Sequence, residues 1–334
     1  MTPKVSIIVP VYNTKAWLIE RSLKSICAQK KDIEIIVVDD GSVANDTINY
    51  LDGLKGTFQC VLVRKENGGL GSARNEGLKY ATGEYVGFMD SDDYVDEYFY
   101  QKLYKIAKTN DADIVSGMLV ATDGKKFLPL DSCDNLITAN LLDKIKQIKH
   151  GSVCNKIFKR TLFEDITFPE NKVFWEDNIA LIELYIKSKI LVFTQLVTYF
   201  YWDNSTSITK NNKYFTKRMN DSLIILKMIK ELSFSVNDIE RNSIVTTFLP
   251  ILYTHKYYRT SKYYREQIHS MFTIDELRCI PIKTKKILAI SSIALLKLTP
   301  IEGVDYEVCD VIRNNKVLGA FRVKGRVFCL IKEL

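Results

Sequence analysis

No Cys-x-x-Cys pair occurs in this chain, although it holds seven cysteines: Cys27, Cys60, Cys133, Cys154, Cys279, Cys309 and Cys329. Scattered and odd in number, they offer neither a zinc-ligand spacing nor a disulfide framework, and they suit a reducing compartment. No apolar run reaches the roughly 18 residues that would cross a bilayer. Met1-Thr2-Pro3-Lys4-Val5 leads into a strand at once, so no signal peptide is expected. The fingerprints Gly-x-Gly-x-x-Gly and Gly-Lys-Ser/Thr are missing, which removes the dinucleotide and P-loop readings. Charge of one sign is scarce until late. Residues 1–255 carry 32 basic and 32 acidic side chains, whereas residues 256–334 carry 15 and 8.

What is present begins with a buried strand, Val5-Ser6-Ile7-Ile8-Val9-Pro10, ended by a proline that has no N–H for a ladder. A helix capped at Asn13 or Thr14 turns Ala16, Ile19, Leu23 and Ile26 inward. A second strand over 33–38, a helix over 45–54, a third strand over 60–63, a helix over 70–81 and a fourth strand over 85–89 follow. Such alternation implies parallel βαβ units, whose ligands bind beyond the carboxyl ends of the strands. Pro10-Val11-Tyr12-Asn13, Asp39-Asp40-Gly41-Ser42, Asn67-Gly68-Gly69 and Asp90-Ser91-Asp92-Asp93 all fall there. Four polar strand ends on one edge point to a site rather than to four unrelated turns. The last segment, read alone, is either an acidic turn capping the next helix or a seat for a hard cation such as Mg²⁺ or Mn²⁺. The glycines let backbone N–H groups approach an anion, and equally they are ordinary turn residues.

Together these segments, with Leu70-Gly71-Ser72-Ala73-Arg74-Asn75 and Tyr94, resemble glycosyltransferase family 2 sequences over residues 3–115. The resemblance implies the GT-A fold: a mixed, mainly parallel α/β sheet flanked by helices. It implies a nucleotide-sugar donor, a UDP-sugar first among them, with Asp40 on the base, Tyr12 stacked on it, Asp90 on the ribose and Asp92 on Mg²⁺ or Mn²⁺. Pro10, Asn67, Gly68 and Ser91 belong to the same nucleotide-sugar edge. A metal there would neutralise the diphosphate as it leaves. Arg74 offers a further donor near that charge, or else is a solvated helix arginine. Asp93 is expected to cap the following helix.

The likeness continues at Lys156-Ile157-Phe158-Lys159-Arg160 and at Glu176-Asp177, which open an apolar helix pattern. By that resemblance Asp177 is the general base, with Glu176 beside it, in a direct displacement that inverts the anomeric centre. Helix capping is the alternative for both. Trp202 stands where relatives commonly carry arginine after Tyr-x-Tyr, which puts that arginine's contacts in question.

A strand is expected over 112–117, a polar loop over 122–126 and a helix over 136–148. The catalytic part would span 1–210, with a nucleotide-sugar half to about 115 and an acceptor half beyond it. Residues 211–334 would form a helical extension, with helices over 215–232 and 236–258, ending in a small β-hairpin. Tyr257-Tyr258-Arg259, Tyr263-Tyr264-Arg265 and Lys283-Thr284-Lys285-Lys286 interleave rings with cations, which suits an anionic membrane surface. Nothing in the first half calls for nucleic acid. The expected activity is sugar transfer to a glycan or lipid-linked acceptor in surface-polysaccharide synthesis, at the inner face of the membrane. The alternatives are a nucleotidyltransferase, which would want a basic Gly-rich loop near the N-terminus, and a non-catalytic sugar-nucleotide-binding module.

Overall fold

The computed structural model describes residues 3–27, 32–54, 58–130, 135–146, 151–170, 174–203 and 215–233, short pieces between 235 and 271, and strands within 306–329. The chain divides into two units, Met1–Ile251 and Leu252–Leu334. In the first, β1 (Val5–Val11), β2 (Ile33–Asp39), β3 (Val61–Arg64) and β4 (Tyr85–Phe88) alternate with α1 (Ala16–Cys27), α2 (Asn45–Asp52) and α3 (Leu70–Tyr80). Then come β5 (Tyr94–Val95), α4 (Phe99–Asn110), β6 (Ile114–Thr122), β7 (Phe127–Pro129), β8 (Leu136–Thr138) and α5 (Leu141–Lys146). The unit continues with β9 (Lys156–Lys159), α6 (Glu176–Lys187), β10 (Leu191–Trp202) and α7 (Phe215–Ser233).

These strands form one mixed sheet in the order β3-β2-β1-β4-β9-β6-β10-β5, with β7 on β6 and β8 on β10. The β3-β2-β1-β4 half is parallel throughout, and β6 runs parallel to β10. β9 is antiparallel to both β4 and β6, and so joins the two halves. All seven residues of β1 are buried, the pattern of a strand covered on both faces.

Several expectations need correction. Pro10 does not end β1; it sits in register opposite Val38, and the strand runs on to Val11. β4 has already left the ladder after Phe88, so the missing N–H of Pro10 leaves no partner stranded on that side. The helix expected over 136–148 starts only at Leu141, because Leu136–Thr138 pairs antiparallel with β10. Asn140 divides the two: its Oδ1 accepts the Asp143 N–H at 3.2 Å and its carbonyl accepts that of Lys144, as an N-cap does. Tyr94–Val95 is a strand on β10, not the start of a helix, so Asp93 caps nothing.

The helix expected over 215–232 is present as α7, which packs on α6 and buries Leu223, Leu226 and Ile229. In the second unit, β12 (Lys316–Val323) and β13 (Arg326–Cys329) pair as the expected antiparallel hairpin, and β11 (Tyr306–Arg313) adds a third antiparallel strand on β12. The segments 205–208, 257–265 and 283–290, and most of the helix expected over 236–258, lie outside the described residues.

Candidate active site

The carboxyl ends of β1 and β2 are stitched to each other by their own polar side chains. Asn13, with φ 53°, accepts the N–H groups of Val43 and Ala44 on its Oδ1 at 2.8 and 2.9 Å, and its N–H donates to Ser42 Oγ at 3.0 Å. Asp39 accepts the Ser42 N–H at 2.9 Å, the local turn that an aspartate two or three residues ahead of a glycine favours. Tyr12 is left 47% exposed at this edge.

Asp40 is buried and already busy. Its Oδ1 accepts Lys65 Nζ and the Gly68 N–H, both at 2.9 Å, and its Oδ2 accepts the Gly69 N–H at 2.8 Å. The anion that the glycine N–H groups meet is thus Asp40 itself, and Gly69 (φ 92°) is in the conformation glycine tolerates best. A carboxylate has about four lone-pair directions, so roughly one remains for a ligand.

α3 begins at Leu70, and its buried positions are Gly71, Ala73, Arg74 and Gly77. Small residues bring the helix close to what lies beneath. A Cβ at Gly71 would stand 2.1 Å from the Pro169 carbonyl oxygen. Asn75 fixes the same segment with a pair of bonds, Nδ2 to the Phe168 carbonyl at 2.9 Å and Oδ1 from the Phe168 N–H at 2.8 Å. This face turns Arg74 inward, 1% exposed. Rather than standing in solvent, its guanidinium gives Nη1 to Glu176 Oε1 at 2.7 Å and to Asp177 Oδ1, and Nη2 to Asp90 Oδ1 at 3.3 Å. The rings of Phe168 and Phe88 lie 5.3 and 6.0 Å from it. One arginine therefore joins the β4 end to the start of α6, reaching Asp177 across 103 residues of sequence.

Glu176 and Asp177 occupy the first turn of α6, where the helix dipole favours negative charge. Trp175 (φ 71°) precedes them, and the Phe174 N–H is held by Asp221 of α7 at 3.0 Å. Burial, and Asp177 alongside, push the Glu176 carboxyl well above the usual range, against the pull of Arg74. The two side chains differ in access: 8% exposed for Glu176 and 19% for Asp177.

The acidic turn is pinned residue by residue. Asp93 N–H bonds to the Asp90 carbonyl at 3.1 Å, and the Asp90 N–H donates to Tyr199 Oη at 3.1 Å. Ser91 Oγ and Thr14 Oγ1 are 2.7 Å apart. Asp93 accepts Tyr199 Oη at 2.6 Å and the Trp202 N–H at 2.7 Å, so its function is to tie the turn to β10. Arg21 of α1 donates to the Asp92 carbonyl at 2.5 Å. Of the three carboxylates in this turn, Asp90 accepts from Arg74 and Asp93 from Tyr199, and the Asp92 carboxylate takes no bond from another side chain among the described residues. Burial and the nearby Asp90 push it up to about 6.

Among the described residues no group of three or more His, Cys, Asp or Glu side chains could hold a metal alone. The donor set still fits Mg²⁺ or Mn²⁺, which commonly take one or two carboxylates and complete their shell with substrate phosphates and water. Asp92 is the uncommitted oxygen donor here. A separate cleft of about 570 Å³, lined by Lys4, Asp32, Tyr104 and Lys108, lies at the amino ends of β1 and β2, away from this cluster. Sequence reasoning assigned no role to Lys65, Asn75, Arg21, Tyr199 or Asp221; Asn75 was signalled by the family-like segment at 70–75 and Tyr199 by the Tyr-x-Tyr spacing.

Comparison with known proteins fits this geometry. The family described as Glycosyl transferase family 2 matches residues 6–167. The chain is 32% identical over 222 residues to the glycosyltransferase EpsJ of Bacillus subtilis, covering 63% of this chain and 64% of that protein. It is 32% identical over 206 residues to a poly(ribitol-phosphate) beta-glucosyltransferase of Bacillus spizizenii, covering 59% and 32%. It thus spans less than two thirds of either relative. In fold it is similar to residues 1–349 of S. aureus TarS, solved with UDP-GlcNAc, at a TM-score of 0.68 and 19% identity over 97% of this chain and 99% of that one.

Proposed function

We propose that residues 6–167, which match the family described as Glycosyl transferase family 2, form a domain of that family, and that the chain moves a sugar from a UDP-sugar to a hydroxyl of a surface-polysaccharide acceptor, inverting the anomeric centre. The observation that carries this is the Arg74 cluster, which gathers Asp90 from the end of β4 and Glu176 and Asp177 from the first turn of α6. Relatives support the acceptor class, since one is a poly(ribitol-phosphate) beta-glucosyltransferase, and the fold neighbour TarS binds UDP-GlcNAc.

In this reading Tyr12, exposed at the end of β1, stacks on the base. Asp40 spends two acceptor directions on the Gly68-Gly69 turn and one on Lys65, and gives the remaining one to the base. Pro10 and Asn67 line the same edge, Ser91 the turn beside it, and Asp90 takes the ribose. Asp92 holds Mg²⁺ or Mn²⁺, which when bound neutralises charge on the departing diphosphate. Asp177 has Oδ1 on Arg74, leaving Oδ2 to take the proton from the acceptor hydroxyl. Glu176, whose carboxyl is pushed well above the usual range by burial and by Asp177 alongside, orients that carboxylate. The basic residues 256–334 hold the enzyme near an anionic membrane face.

The test is a panel of nucleotide sugars assayed for transfer with Mg²⁺ or Mn²⁺, in the parent and in Asp177→Asn. Removing a general base costs about 10²–10⁴ in kcat, with donor KM unchanged. A parent-like rate in Asp177→Asn would overturn the assignment of the base. A triphosphate processed in place of any nucleotide sugar would favour nucleotidyl transfer.

A further inference from the structure

The Arg21 side chain leaves α1 to reach the acidic turn, and aromatic rings surround it there. Its guanidinium carbon lies 4.1 Å from the Trp202 ring centroid, 4.7 Å from that of Tyr94 and 5.3 Å from that of Trp17. Trp17 and Trp202 meet edge to face at 6.1 Å. Nη2 donates to the Asp92 carbonyl at 2.5 Å, while Nε is buried without a hydrogen-bond partner. Ring faces attract a cation most when water is excluded, so the aromatic shell offsets part of the cost of desolvating this guanidinium. A guanidinium also stacks as a plane and donates as a fixed fork, which an ammonium cannot do.

Trp202 acts on the turn twice. Its N–H donates to Asp93 Oδ1 at 2.7 Å, and its ring covers Arg21. Its six-membered ring in turn packs on Gly124, where an added Cβ would stand 3.1 Å away. The place where relatives commonly carry arginine thus holds the ring that retains an arginine delivered from α1. Every other residue of the turn is fixed through a side chain or a turn bond. Asp92 is fixed through its main chain, which leaves its carboxylate available.

We propose that Arg21, retained by the Trp202 ring, is the positioning residue that sets the Asp92 main chain for metal binding. The inference rests on the reading of Asp92 as the metal-holding residue. Mutating groups that orient a metal ligand commonly weakens metal affinity about 10- to 100-fold.

The experiment measures Mn²⁺ binding in the presence of UDP, following free Mn²⁺ by electron paramagnetic resonance, with thermal midpoints recorded alongside. Arg21→Lys keeps the charge but loses the fork and the stacking; it should weaken Mn²⁺ by about 10-fold or more. Trp202→Ala should do the same, and Trp202→Phe should restore affinity to within about twofold. UDP binding without Mn²⁺ should be unchanged in all three. Trp202→Ala leaves Arg21 itself in place, so it keeps the test valid if Arg21→Lys folds poorly. Parent-like Mn²⁺ affinity in Arg21→Lys and Trp202→Ala overturns the positioning role alone. Losses that Trp202→Phe shares, in step with a falling thermal midpoint, overturn it as well, by marking the cluster as merely structural. A parent that binds no Mn²⁺ under these conditions overturns the metal reading and this inference together.

Discussion

Arg74 sits among three carboxylates, and what it does there depends on which of them keeps a proton. Burial and the adjacent Asp177 push the Glu176 carboxyl well above the ordinary range, against the pull of Arg74, and so favour its protonated form. The linkage sign follows: the folded state binds the proton over a pH range where the unfolded chain has released it. Stability from this group is fully present below the unfolded pKa and is lost as pH rises toward the folded one. Glu176→Gln should therefore show a flatter stability profile than the parent from pH 5 to pH 8, read from thermal unfolding in matched buffers. Equal slopes would mean that Glu176 is ionised in the fold. Gly71 gives a second residue-level expectation. An alanine there meets the Pro169 carbonyl at 2.1 Å, and overpacking of this kind costs about 1–3 kcal/mol. The Gly71→Ala midpoint in urea should fall accordingly, with kcat lowered as α3 and Arg74 move outward.

At the level of elements, α6 is held at both ends. Its first turn carries Glu176 and Asp177; its last is closed by Lys144, a buried lysine of α5. Lys144 Nζ donates to the Ser188 carbonyl at 2.5 Å, to Ser188 Oγ at 3.1 Å and to the Tyr185 carbonyl at 3.4 Å. A cation there complements the dipole and satisfies carbonyls that the helix leaves open. Lys144→Met keeps the stem but takes its donor from the Ser188 carbonyl, at about 1–3 kcal/mol, and should lower the thermal midpoint by several degrees while sparing donor KM. The same helices explain what the sequence disclosed and what it hid. The four strand ends were legible because buried runs alternating with helices allow few topologies. The inward turn of Arg74 was not, because the buried face of α3 is built from Gly71, Ala73 and Gly77 and carries no apolar stripe. The pairing of Leu136–Thr138 was hidden because three residues are too few to show an alternation. The task of Asp93 depends on Tyr199 and Trp202, more than a hundred residues away, which no local pattern can announce.

For the whole molecule, the question is where a chain with this charge distribution resides. Residues 1–255 are balanced at 32 charges of each sign, and residues 256–334 carry an excess of seven cations. Among the described residues no helix is long and apolar enough to cross a membrane. Basic segments gain about 1 kcal/mol per lysine or arginine close to an anionic leaflet, and that attraction decays over a Debye length of about 10 Å at 0.1 M salt and 3 Å at 1 M. The full chain should therefore co-sediment with vesicles containing phosphatidylglycerol at 0.1 M NaCl and leave them at 1 M. It should ignore vesicles of phosphatidylcholine alone. Neutralising Lys283, Lys285 and Lys286 together should weaken the association, and binding that persists at 1 M would point to inserted apolar surface instead of charge.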